Sequence, residues 1–255
     1  SGNTFIMLML QTGQDIYNED LYTTDYNSMK TTDIKNVNLT NFMTQDSIRV
    51  FEQWTKFYTV FSFDQTFDAF SRFRTGEMPL VVQPYTFYNQ LSVAAPEIKG
   101  LWDFTLVPGT KQADGTINHA ANSAGSGAVI FNKVSNQAAA WDFVKWFTST
   151  DIQVDYGKQI EALMGPMGRF DTANVEALEQ LPWSTAEYEK ISSQQSYLRE
   201  VPIIPASYAV TRHINNAFRM VVNDAGNPRY TLMSYNDQIK SEIVRKYQEL
   251  SSVKK

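Results

Sequence analysis

Three features of the sequence predict an α/β fold. Amphipathic stripes with helical spacing recur along most of the 255 residues. Between them lie short, wholly apolar runs bounded by glycine or proline, the pattern of strands covered on both faces. No internal repeat interrupts this order. The length admits one large domain or two small ones, and a second lobe is placed over about 127–189.

Taken in order, residues 4–10 form an apolar run whose length fits either a buried strand or the tail of a buried helix. A chain that opens inside such a run reads as truncated. Residues 11–35 are polar and tyrosine-bearing, and read as loop with hairpin-like pieces. A clear amphipathic helix follows over 44–61, with Val50, Phe51, Trp54, Phe57, Tyr58 and Phe61 on one stripe. The stretch 72–88 organises what comes next. Phe67, Phe70 and Phe73 make a helical stripe over 66–75, and Gly76 stops that helix. Leu80-Val81-Val82 reads as a buried strand, ended by Pro84 because proline offers no N–H to a ladder. Tyr85, Phe87 and Tyr88 follow where an open α/β sheet exposes the carboxyl ends of its strands to ligands. Those rings serve equally well as core.

Residues 101–107 read as a strand closed by Pro108-Gly109, and 111–117, with Asp114-Gly115 at the centre, as a loop or hairpin. The small-residue run 122–127 leads into the apolar strand 128–131 and is the expected hinge or crossover. Ser135 or Asn136 caps a helix to Phe147 that carries Ala139, Ala140, Phe143, Val144 and Phe147 on one stripe. A further helix covers 151–163, and Gly165-Pro166-Met167-Gly168 breaks it. Ser184 and Glu187 form a capping box for a helix towards Leu198. Two last helices are expected over 208–224 and 231–250.

Composition narrows the chemistry. A net charge of −5 and a pI near 5.1 provide no basic face for nucleic acid. There is no cysteine, hence no disulfide framework or thiolate metal site, which fits an exported bacterial protein. No run reaches a membrane span, and no signal peptide is visible. With His119 and His213 the only histidines, a metal centre lacks ligands. Dinucleotide, phosphate-loop and nucleophile-elbow motifs are absent, so neither metal nor cofactor is expected. Paired carboxylates drawn from Glu77, Glu97 and Asp103 leave a glycosidase-like enzyme open. Against this stands a surplus of aromatic rings beside polar amides. Tyr85, Phe87, Tyr88, Trp183, Tyr208, Arg212 and His213 sit at element ends or on loops, where rings stack on sugar C–H faces and polar groups bind hydroxyls. Arg212 near a helix start opposes the helix dipole, so a ligand or an ion pair must account for it.

Several segments resemble a known family. Phe73-Arg74-Thr75-Gly76-Glu77-Met78-Pro79-Leu80 is similar to the "G-[ED]-x-[AP]-M/L" strand of the family 1 extracellular solute-binding proteins, receptors of carbohydrate ABC importers that include the maltose-binding type. The strand around Trp102 to Gly109, the crossover 123–132, the "A-W-x-F-[IVL]-K-[WF]-[FL]-T-S" helix at 138–151, the loop Met164-Gly165-Pro166-Met167 and the late helix 208–228 follow in the family's order. The resemblance covers nearly the whole chain but only the second half of the family. It implies a periplasmic-binding-protein-like type II fold, as a fragment of a two-lobed receptor. Residues 1–125 would belong to the C-terminal lobe, 126–190 to a crossover into the other lobe, and 191–255 to the return. It also implies ligand contacts from Tyr85, Thr86, Phe87, Trp183, Tyr208, Arg212 and His213. The implied ligand is a small polar solute, a sugar or oligosaccharide, with membrane permease subunits as partners. The receptor would be a monomer at the cell surface, anchored through an upstream lipidated region. Gln83-Pro84-Tyr85 stands where many sugar-binding members carry a tryptophan, so a peptide ligand is the alternative.

Overall fold

Helical periodicity dominates the chain, and a computed structural model describes residues 2–30, 32–123 and 125–253. Its helices are α1 (Gly2–Leu10), α2 (Asp20–Thr23), α3 (Gln45–Thr59), α4 (Ala69–Arg74), α5 (Thr86–Ala94) and α6 (Gln137–Phe147). They continue as α7 (Thr150–Met164), α8 (Val175–Gln180), α9 (Thr185–Ser196), α10 (Ser207–Val222) and α11 (Pro228–Val253). The strands are short: β1 (Thr110–Lys111), β2 (Ile117–Asn118), β3 (Ala121–Asn122) and β4 (Leu198–Arg199). The run at 4–10, undecided between strand and helix, is therefore helix α1. The chain divides into two compact units, one of Ser1–Gln65, Pro108–Ser123 and Tyr197–Lys255, the other of Thr66–Val107 and Ala124–Ser196. One boundary falls inside the small-residue run 122–127, of which Ala124 lies outside the described residues.

The first unit holds the main core. Thr44 caps α3 by accepting from the Ser47 N–H at 3.2 Å, and the stripe that follows buries Val50, Phe51 and Trp54. Trp54 stacks between Phe5 of α1, at 5.9 Å, and Phe218 of α10, at 4.4 Å. Val210, Ile214, Ala217 and Val221 of α10 and Leu232, Ile239 and Ile243 of α11 close the same core. Each large side chain removed from water there contributes about 1.5–3 kcal/mol. Several buried polar groups are matched: Thr40 donates to Asn236 Oδ1 at 2.5 Å, and Gln11 donates to the carbonyls of Pro108 and Ala120, whereas Trp54 Nε1 and His213 Nδ1 have no hydrogen-bond partner. The expected hairpin forms, β1 pairing antiparallel with β2. Gly109 is required beside it, because a Cβ there would meet the Asn118 carbonyl oxygen at 2.7 Å. β3 pairs in parallel with β4.

The second unit departs from expectation. Its buried centre is small, with Leu178, Leu181 and Ile191 flanked by Tyr85, Phe104, Phe170 and Trp183. The runs 80–82, 101–107 and 128–131, expected as strands, join no β-ladder among the described residues. Leu80 is 87% exposed and Phe131 79%. A strand exists only through a neighbour that satisfies its N–H and C=O groups, and no strand pairs with these runs among the described residues. Helix α6 begins as expected, with Asn136 accepting from the Ala139 N–H at 3.0 Å. Its apolar stripe is not covered: no residue of α6 is buried, and Phe143 is 60% exposed. Likewise Phe67, just before the Asp68 N-cap of α4, is exposed, and α4 buries none of its residues.

Candidate functional site

In the second unit the residues after Pro84 enter a helix rather than continuing a strand, and this decides which side chains meet. Tyr85 is the N-cap of α5, so Tyr85, Tyr88 and Asn89 share one face at helical spacing. Tyr85 stacks on Tyr88 at 5.6 Å and meets Trp183 edge-on at 5.3 Å. Tyr88 also presents its ring to Trp102 and Phe104, each at 5.5 Å. Phe87 turns instead to Phe73, at 6.1 Å, and Thr86 is exposed. The sequence-predicted residues Tyr85 and Trp183 are thus brought together, while Thr86 and Phe87 are not part of their group.

Arg169 ties the group together. Its guanidinium lies 5.3 Å from the centre of the Trp183 ring, its Nε bonds Glu161 at 2.7 Å, and its Nη1 donates to the Tyr88 hydroxyl at 3.1 Å. The Tyr88 hydroxyl in turn donates to Glu187. Glu187 also completes the capping box of α9, accepting from the Ser184 N–H at 2.9 Å and donating its own N–H to Ser184 Oγ at 3.3 Å. Burial would push the Glu187 carboxyl up, but hydrogen bonds from Tyr88 and Ser184 and the Arg169 charge hold it below the ordinary 4.5. Burial raises the Tyr85 phenol well above its usual range, so it stays a neutral group, and it donates to Asn89 Oδ1 at 3.3 Å. Rings, an amide, a phenol and a guanidinium held this way can stack on an apolar ligand face and bond its hydroxyls.

In the first unit α10 and α11 form the second group. Tyr208, in the first turn of α10, is half-exposed, and the Arg212 guanidinium lies 5.6 Å from its ring centre. Arg212 also pairs with Glu242 of α11 at 3.6 Å, so an ion pair accounts for a cation near a helix start. His213 is buried, with its ring 5.9 Å from Tyr235. Tyr208, Arg212 and His213, predicted from sequence, are neighbours here. An open notch of about 330 Å³ is lined by His213 together with Asp237, Gln238, Ser241, Glu242 and Arg245 of α11.

Sequence reasoning missed the partners. Arg169, Trp102, Phe104 and Glu187 stand far from Tyr85 along the chain, and only Glu187 gave a signal, as half of a capping box. The α11 residues at 237, 238, 241, 242 and 245 fall on one polar stripe, which reads as solvated surface. The carboxylates considered for hydrolysis do not form a pair of the required kind. Glu77 faces Arg72 at 3.4 Å, Glu97 faces Arg74 at 3.4 Å, and Asp103 bonds Lys190 at 2.5 Å, all on the surface. Lys190 and the Phe104 N–H hold Asp103 below the usual carboxylate range, the opposite of what a general acid needs. No group of three or more metal-ligating side chains occurs among the described residues.

Comparison with known proteins gives the fold a context. A solved structure similar to this chain is an ABC transporter solute-binding protein from Thermotoga lettingae bound with α-D-tagatose, with a TM-score of 0.63 and 16% identity. The match covers 94% of this chain and 56% of the other, so this chain spans little more than half the length of that relative. The chain thus has the solute-binding-protein fold that the sequence predicted, as a portion of it. No curated protein matches. The family model for bacterial extracellular solute-binding proteins matches residues 2–154, more than half of the chain. The chain belongs to the bacterial extracellular solute-binding protein family.

Proposed function

We propose that this chain is part of the substrate receptor of an ABC importer, a binding protein and not an enzyme, that takes a small polar solute of the sugar class. The observation that carries this reading is the group formed by Tyr85, Tyr88 and Trp183 around Arg169, where partly buried rings stand beside fixed hydrogen-bonding groups. Tyr85, Thr86, Phe87 and Trp183 are the proposed solute contacts of one unit, and Tyr208, Arg212 and His213 those of the other. The tagatose bound by the structural relative supports the sugar class. The surface carboxylates, each matched by a cation, disfavour the glycosidase reading.

The receptor is proposed to act as a monomer at the cell surface, with permease subunits as its membrane partners and an anchor outside these 255 residues. Exposed apolar runs at 80–82 and 129–131 and the open face of α6 support the reading as a portion of a larger receptor, whose remainder would cover them. Residues 126–190, proposed as the crossover into the other lobe, lie wholly inside the second unit; 66–107 share that unit and would go with them.

Calorimetric titration of neutral mono- and oligosaccharides against the full polypeptide carrying these residues tests the function. Saturable binding of a sugar, weakened at least about tenfold by Trp183→Ala in a variant with unchanged circular dichroism, is expected. Saturable binding of a peptide with no response to any sugar would replace the sugar class by peptides.

A further inference from the structure

Two runs of the second unit have the chemistry of strands without a ladder. Leu80-Val81-Val82 and Ala128-Val129-Ile130-Phe131 are wholly apolar and rich in β-branched residues, which suit a pleated, covered backbone. No N–H of either run donates to a backbone carbonyl among the described residues. Leu80, Val82, Val129 and Phe131 are all exposed, Val129 by 78%. Neither run contains a charged residue, the usual guard of an open edge, so each is an aggregation site while it stays uncovered.

The pattern says what kind of cover is needed. Successive residues of a strand face opposite sides, and here both sets are apolar: Val129 and Phe131 on one side, Ala128 and Ile130 on the other. A run of this kind belongs inside a sheet that is covered on both faces. A helix laid over it would hide the side chains and leave dry N–H and C=O groups without partners. Another strand meets both needs. Pro79 and Pro84 bracket the first run, so a ladder there is confined to the residues between them. Helix α6 points the same way. Only residues 132–136 separate it from the second run, a connection typical of a strand and the helix that packs on its sheet. Its Trp141, Phe143 and Trp146 nevertheless stand open, as they must where that sheet is incomplete.

We propose that these two runs and the open face of α6 form an interaction surface for the rest of the receptor polypeptide, which adds β-strands beside 80–82 and 128–131 so that both portions share one sheet. Length favours this occupant: the chain spans 56% of its structural relative, and a receptor of comparable size has the residues to supply those strands. The inference rests on the reading of this chain as a portion of a larger receptor. It adds how the portions join, through a backbone ladder rather than through side-chain packing alone.

Hydrogen exchange of the full polypeptide, followed by mass spectrometry, tests this. The amides of 80–82 and 128–131 should exchange at least about a hundredfold more slowly than in an unstructured peptide. Faster exchange at either run overturns the shared sheet, since side-chain cover alone leaves amides unpaired. Val129→Pro removes one ladder N–H and should return 128–131 to within about tenfold of the peptide rate, whereas Val129→Thr keeps the N–H and should keep the protection. Where the proline variant does not fold, the profile of the unaltered polypeptide decides. Protection that vanishes on about hundredfold dilution would give the strands to a second copy and overturn the proposal. Sugar titration of the same sample is read separately. Protected runs without sugar binding sustain the shared sheet and overturn the sugar reading, whereas sugar binding with unprotected runs overturns the shared sheet and leaves the receptor reading standing.

Discussion

Gly157 shows how little room a single residue has beneath the aromatic group. A Cβ at this position of α7 would meet Leu181 Cδ2 at 2.4 Å and Phe170 Cε1 at 2.9 Å. Leu181 belongs to the small core that supports Tyr85 and Trp183, so it cannot move without disturbing them. Gly157→Ala should therefore destabilise the second unit by about 1–3 kcal/mol despite its gain in helix propensity. Urea denaturation followed by tryptophan fluorescence measures this, and an unchanged midpoint would show that Leu181 yields freely. Arg169 is the converse case, a residue defined by what it joins. It meets Trp183, Tyr88 and Glu161 together, a role that no single position in the sequence reveals.

At the scale of elements, the start of α9 links local and tertiary structure. Ser184 and Glu187 close a capping box, and the same carboxylate receives the Tyr88 hydroxyl. Because the folded carboxyl of Glu187 is held below its ordinary 4.5, its contribution to stability is present above that value and is lost as pH falls through the folded one. Asp171 of the same unit acts in the opposite sense, since burial raises its carboxyl. Thermal midpoints measured from pH 7 down to about pH 3.5 should fall more steeply for the unaltered chain than for Glu187→Gln, with the two curves converging at the acid end. Parallel curves would deny Glu187 this part. Helix α5 carries the same lesson about geometry. As a strand, 85–88 would have sent Tyr85 and Phe87 to one side; as a helix it pairs Tyr85 with Tyr88 and turns Phe87 to Phe73.

For the molecule as a whole, burial is uneven between the units. The first is closed around Phe5, Phe51, Trp54 and Phe218, whereas α6 in the second leaves Trp141, Phe143 and Trp146 open to solvent. Replacing those three rings by serine should change the stability of this chain by no more than about 0.5 kcal/mol per site, because surface substitutions remove little burial. It should also lower binding of a hydrophobic dye and self-association. Losses well above 1 kcal/mol in chemical denaturation would mean that the face is covered in solution.

How much of this was legible in advance follows from the range of the forces involved. The longer helices, the caps at Asn136 and Ser184, and a hairpin as one of two readings around Asp114-Gly115 were readable because capping, turn geometry and the 3.6-residue period act within a few residues of sequence. The kinship of the chain was readable for the same reason, in runs such as Phe73 to Leu80 and Ala138 to Asp151. Tertiary structure alone decided the rest. Whether 80–82 becomes a strand depends on a neighbour to share its hydrogen bonds, and whether the stripe of α6 is core depends on something packed against it. Tyr85 meets Trp183, and His213 lines one notch with Asp237 and Glu242, because folding closes loops whose length leaves no trace in local composition. The sequence alone thus determined the longer amphipathic helices and the family, while the grouping of the candidate binding residues came only with packing.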